Sequence, residues 1–308
     1  MVKVAVAVET TVGSARSWRD YLELTKPNVV LLLVFTAVVG MALSTPGMVP
    51  WLPALTGTVG IGLASASAAA LNHLIDQQAD ARMARTRHRP IPQGALSSRE
   101  VLLFALGIGA LGMAILVVFN NVLTAWLTFL SLIGYAVVYT LYLKRASPQN
   151  IVIGGLAGAM PPVLGWAAVT GEVTAEPLLL ALIVFVWTPP HFWALAIHRR
   201  NDYAKVEIPM LPVTHGTAYT RLHVLLYAIL LIPVTLSPFL IGMSHVPYLL
   251  GTLVLDVWFL WHCVLLYRNP DDTRQPMITF WVSIKYLMGL FAVLLVDHYL
   301  PVLERTLA

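Results

Sequence analysis

The chain is a succession of apolar runs, each about 20 residues long, separated by short polar intervals. In lipid a segment must satisfy its own backbone hydrogen bonds, so each such run reads as a spanning helix. Nine are predicted, near 27–44, 51–75, 100–119, 121–143, 149–169, 177–197, 222–243, 246–266 and 279–299. Pro46, Gly47, Pro50 and Pro53 punctuate the first turn between spans. Pro161, Pro162, Pro189, Pro190, Pro233 and Pro238 fall inside spans five to seven, where kinks rather than breaks are expected. Gly154, Gly155 and Gly158 suit close helix packing. The predicted fold is an all-α membrane bundle of about nine transmembrane helices. It forms one unit over 21–300, between a tail at 1–20 and a short tail at 301–308. No repeat of fixed period and no separately folding soluble domain is visible.

Composition supports lipid as the solvent. Of 308 residues, 58% are hydrophobic and 11% charged, against about 25% charged in a soluble domain. The net charge of +4 does not indicate nucleic acid, because the basic residues lie between spans and form no single stripe. They fix sidedness instead. Every lysine and arginine except Arg305 falls in the N-terminal tail, the even-numbered turns or the helix ends beside them. The loops near 45–50 and 170–176 hold none. The positive-inside rule then places the N-terminus in the cytoplasm, the C-terminus outside, and the charged chemistry at the cytoplasmic face. The first 20 residues have neither signal-peptide nor transit-peptide form, so a short cytoplasmic tail in a bacterial inner membrane is expected. Cys263 is the single cysteine, which excludes an intramolecular disulfide and reads as a small buried hydrophobe.

Two polar motifs interrupt the pattern on that face. The second span ends in Asn72-His73-Leu74-Ile75-Asp76-Gln77-Gln78-Ala79-Asp80. Asn72, Asp76 and Asp80 are four residues apart, so on a continuing helix they share one face at about 6 Å spacing. Two unpaired carboxylates there would repel and resist dehydration. Magnesium relieves that conflict, because it takes one or two carboxylates and completes its shell with water and phosphate oxygens. Arg82, Arg85, Arg87 and Arg89 follow directly. Two readings stand at this point: a diphosphate site, or a solvated loop whose arginines pair with the acids and with lipid headgroups.

The second motif runs from Pro190-His191-Phe192-Trp193 through His198-Arg199-Arg200-Asn201-Asp202-Tyr203-Ala204-Lys205 to Glu207 and Ile208-Pro209-Met210-Leu211-Pro212. With it, the chain resembles the haem O synthases (protohaem IX farnesyltransferases) of the membrane aromatic-prenyltransferase superfamily. The resemblance covers nearly the whole chain. It rests on Leu24-Thr25-Lys26-Pro27, Asn72 to Asp80 with Arg85-Thr86 and Arg89-Pro90, Ser147 to Gly155, Pro161 to Trp166, the second motif, and Asp297-His298-Tyr299. In the wider superfamily the second motif usually carries two aspartates four residues apart. Here Val206 stands four after Asp202 and Glu207 one further, so Asp202 is the one acid expected to serve there.

The resemblance implies a central cavity open laterally to lipid, with magnesium and a prenyl diphosphate at its cytoplasmic end. It further implies farnesyl transfer from farnesyl diphosphate to a vinyl group of haem B, giving haem O for terminal oxidases. Handover to a haem-modifying enzyme or oxidase follows from that. Asp76, Asp80 and Asp202 are the expected metal ligands and, with Asn72, the expected catalytic set. Arg85, Arg89, Lys205 and Lys26 are the expected diphosphate contacts, although Lys26 and Lys285 also suit snorkelling to headgroups. Among His73, His88, His191 and His198 a structural role stands beside haem binding, with His191 and His73 taken as the haem candidates. A quinone-precursor or chlorophyll-type acceptor would use the same diphosphate chemistry. A small-molecule transporter fits less well, because its site belongs near the midplane between internal repeats.

Overall fold

The computed structural model describes residues 17–307, with side chains through 301; the segment 1–16, most of the expected tail, lies outside the described residues. Among the described residues the chain is helical and has no strand. A short helix, α1 (Trp18–Leu24), opens with a capping box in which the Ser17 amide donates to Asp20 Oδ2 at 2.8 Å. It breaks at Lys26, whose φ of 49° is left-handed, and Pro27 starts α2 (Pro27–Leu43) at a 54° bend. A residue before proline is driven out of the α region, while proline itself suits the first helical position.

Next come α3 (Trp51–Arg82), α4 (Ser98–Ile115) and α5 (Val122–Ile133). The last two continue as π segments, Leu116–Asn120 and Gly134–Leu143, the second leading into α6 (Lys144–Ala146). The fifth span is split into α7 (Asn150–Ala159) and α8 (Pro161–Thr170). The sixth, α9 (Ala175–His198), is followed by the short α10 (Arg200–Lys205) and α11 (Leu211–Thr214). The bundle closes with α12 (Gly216–Leu240), α13 (Val246–Arg268) and α14 (Gln275–Leu307). Among the described residues eight helices are long and apolar enough to cross a membrane, and the bent α1–α2 pair, taken as one span, makes a ninth.

Each predicted span corresponds to helical structure, and the differences lie at helix ends and at the prolines. Span two continues as helix to Arg82, well beyond 75, and so carries the acid motif on a rigid rod. Span seven begins at Gly216 rather than 222. The prolines divide by position: Pro189, Pro190, Pro233 and Pro238 are absorbed inside α9 and α12, whereas Pro161 and Pro162 start the new helix α8.

Lipid removes the hydrophobic drive between helices, so close contact has to hold the bundle. Gly165 of α8 lies so near α2 that a Cβ there would stand 1.9 Å from the Ala37 carbonyl oxygen. Gly40 of α2 meets the Pro162 carbonyl of α8 in the same way, at 2.1 Å. Trp187, Trp193, Phe259, Tyr286 and Leu290 form the main core where α9 meets α12, α13 and α14. Two buried acids fasten that half. Asp256 accepts from Tyr286 Oη at 2.6 Å and Thr235 Oγ1 at 3.0 Å, while Asp297 accepts the His245 and Tyr248 amides at the start of α13. The first and last spans meet through Phe35 with Phe291 midway along them and, at the end away from Asp80, through Tyr299 Oη donating to the Ala42 carbonyl.

Candidate active site

The acid motif lies on the last turns of α3, and Asn72, His73, Asp76 and Asp80 are all buried there. The i, i+4 spacing does what the helix demands: the Asn72 amide donates to Asp76 Oδ2 at 3.0 Å. Asn72 also donates to Thr140 Oγ1 at 3.1 Å and accepts from Lys26 Nζ. Buried carboxylates need countercharge, and each has one. Arg89 Nη1 stands 2.6 Å from Asp80 Oδ2, and Lys144 Nζ stands 2.5 Å from Asp76 Oδ2. Thr86, itself buried, donates to the Asp80 carbonyl at 2.9 Å, which folds the arginine loop back over the helix end.

Lys144 is the residue that sequence reading missed as a site group. It served there only as a topological marker, yet it meets an acid 68 positions away. The π segment before it sets this up. Such segments are rare and frequently mark functional sites, and this one turns Tyr135, Tyr139 and Thr140 toward α3. Tyr135 and Tyr139 stack at 5.6 Å; Tyr135 lies in the field of Asp76 and Arg89, and Tyr139 in that of Asp76. Gly154 makes room for Tyr139, because a Cβ there would stand 2.2 Å from its ring.

The second motif reaches this group through Tyr203, which lies in the field of Arg85 and Arg89. Burial pushes the Tyr203 phenol up from its ordinary value, so it stays a neutral hydrogen-bond donor. Asp202 points to its own helix instead, with its carboxylate 4.0 Å from Arg199. Lys205 and Arg85 are exposed. Among the described residues no three His, Cys, Asp or Glu side chains are grouped closely enough to hold a metal by themselves. The structure thus brings together Lys26, Asn72, Asp76, Asp80, Arg89 and Lys144, with Arg85 and Tyr203 at the rim. It does not draw Asp202 or Lys205 into that set. Lys285 is exposed on α14, without an ion pair among the described residues.

The two histidines differ. His73 is buried with neither ring nitrogen partnered, next to the field of Lys26 and Arg89. His191 is buried in a slot between Trp187 and Phe280, stacked at 4.3 and 4.6 Å, and its Nδ1 lies 2.7 Å from Ser283 Oγ.

The donor set matches a hard divalent cation shared with a phosphate ligand. Two carboxylates, held by an amide and flanked by three cationic side chains, leave most of the coordination shell to water or phosphate oxygens.

Comparison with known proteins gives a consistent result. The model of the UbiA prenyltransferase family matches residues 33–284. A protoheme IX farnesyltransferase from Thioalkalivibrio sulfidiphilus is 61% identical over 285 residues, 92% of this chain and 94% of that protein. One from Marinobacter nauticus is 59% identical, over 94% and 95%. Among solved structures, a digeranylgeranylglyceryl phosphate synthase superposes with a TM-score of 0.75 at 16% identity, covering 91% and 98% of the two chains. A UbiA homolog from Archaeoglobus fulgidus bound to DMAPP and Mg2+ gives 0.61 at 16%, covering 89% and 99%. With its helical bundle, its acid-and-cation shelf and these relatives together, the chain belongs to the UbiA prenyltransferase family.

Proposed function

We propose that this protein transfers the farnesyl group of farnesyl diphosphate to a vinyl group of haem B, giving haem O with a hydroxyethylfarnesyl side chain. The observation that carries the reading is the close identity, over nearly the whole chain, to relatives named protoheme IX farnesyltransferase. The buried acid-and-cation shelf supplies the means.

Asp76 and Asp80 would hold magnesium, with Asp202 of the second motif as the third expected ligand; Asn72 fixes the Asp76 carboxylate. Bound magnesium neutralises the diphosphate and so favours its departure. Lys26, Arg89 and Lys144, with Arg85 and Lys205 from the rim, orient the diphosphate and take up the charge that grows as the allylic C–O bond breaks. The apolar spans below keep stray water from the allylic cation, and the stacked Tyr135 and Tyr139 offer it aromatic faces. His73 and His191 contact the porphyrin. The domain is 21–300, in a bacterial inner membrane, with the N-terminus cytoplasmic and the C-terminus outside. The product passes to a haem-modifying enzyme or an oxidase.

The test is purified protein with haem B, farnesyl diphosphate and magnesium, with product mass recorded. Farnesylated, hydrated haem is expected. Its absence, alongside prenylation of a quinone precursor, overturns the acceptor assignment.

A further inference from the structure

We infer that His191 is the general base of the hydration step, taking the proton from the water that quenches the haem-side cation. This rests on the farnesyl-transfer reading and goes further, because it gives one nitrogen one task.

The hydrogen bonds around the ring fix its tautomer. Ser283 Oγ has a single hydrogen and donates it to the Phe280 carbonyl at 2.6 Å. Toward His191 Nδ1, 2.7 Å away, Ser283 can then only accept, so Nδ1 carries the proton. Buried between two aromatic rings and bonded to no carboxylate among the described residues, the ring stays neutral, so Nε2 keeps its lone pair and has no partner among the described contacts. Trp187 and Phe280 cover both imidazole faces, so the Nε2 edge is the one approach. Ser283 also accepts from Trp187 Nε1 through its backbone carbonyl at 2.9 Å, which ties the slot together. Thr188, one turn before His191, packs on Gly155, beside the Gly154 that admits Tyr139. Tyr139 in turn lies in the field of Asp76. His191 stands seven residues before the last residue of α9, at a depth from the polar end like that of Asp76 before the end of α3, so an oriented base lies in the bundle at the level of the shelf.

The step balances without a redox partner. The prenyl C1–O bond breaks with its electron pair leaving on diphosphate, and the terminal vinyl carbon bonds to C1. The cation now sits on the vinyl carbon attached to the porphyrin. Water oxygen bonds to that carbon while His191 Nε2 takes one of its protons, leaving a neutral alcohol and an imidazolium whose Nδ1–H still faces Ser283. The imidazolium returns its proton to water before the next cycle. Without the base, the cation's other exit is loss of a proton from the adjacent carbon, giving an alkene.

His191→Asn keeps an N–H where Nδ1 stands but has no base at the Nε2 position. With haem B and farnesyl diphosphate, the hydrated product is expected to fall about 100-fold, in line with loss of a general base, and the remaining prenylated haem to be one water lighter. Thermal unfolding in detergent at the wild-type temperature, read in parallel, shows that the variant is folded. Ser283→Ala, which unlocks the tautomer, should shift the product ratio the same way by a smaller factor. Hydrated product at the wild-type ratio in both variants overturns the inference, as does a wild-type haem spectrum showing a nitrogen ligand on iron that His191→Asn abolishes. Failure of the wild-type protein to prenylate haem at all instead overturns the function proposed above.

Discussion

At the scale of single residues, the acids of α3 were legible and their countercharges were only half so. The four-residue spacing of Asn72, Asp76 and Asp80 survives because a helix fixes it, whatever surrounds it. Arg89 lies close enough in sequence for its pairing with Asp80 to be anticipated as one of two readings. Lys144 does not, because its approach to Asp76 depends on how the end of the fourth span is wound. His191 was legible as a polar group needing a partner, but which nitrogen is free depends on Ser283, 92 positions on. Lys144→Met removes the charge while keeping the stem. Turnover is expected to fall roughly 10–100-fold, the usual loss when a group orienting a metal ligand is removed. Steady-state assay over a magnesium series checks this, and Lys144→Arg should recover part of the loss. Unchanged kinetics in Lys144→Met would remove the lysine from the site.

At the scale of elements, hydrophobic runs gave the number of spans but not their irregularities. Neither the split of the fifth span, which Pro161 and Pro162 impose by starting a new helix, nor the π winding of the fourth shows in hydropathy, and how the helices settle against their neighbours does not show there either. Close approach of α2 and α8 is one such settlement. It also matters to the site, because Lys26 stands at the start of α2. Gly165→Ala forces a methyl group against the Ala37 carbonyl. Overpacking of this kind costs about 1–3 kcal/mol, so thermal unfolding in detergent should move to lower temperature. Gly158→Ala, where an added methyl meets nothing within 4 Å, is the control expected to leave it in place. Equal melting of the two variants would mean the helices part without cost.

At the scale of the whole molecule, the chain is polarised along the membrane normal. One end carries the arginine loop, Lys144 and the second motif, and the other is closed by Asp297, Asn120 and Asn121 hydrogen-bonding to backbone. The uneven placement of basic residues made this asymmetry readable before any contact was known, because the rule behind it concerns insertion rather than packing. Orientation can be tested directly, since the sole cysteine, Cys263, is buried. Met48→Cys, at an exposed turn, should react with an impermeant maleimide added outside intact cells, and Gln93→Cys only after lysis. The reverse pattern would invert the topology and place the acids on the wrong side for a cytosolic diphosphate.

The pairing of Asp76 with Lys144 and of Asp80 with Arg89 has a consequence for the order of assembly. Free divalent ions must compete with ammonium and guanidinium groups already seated on both carboxylates, whereas an ion arriving chelated brings oxygens that those same groups can turn to. Calorimetry should therefore register little heat from magnesium alone and a strong signal from magnesium with inorganic pyrophosphate. Such a sequence keeps the bare cation out until there is cargo to hold.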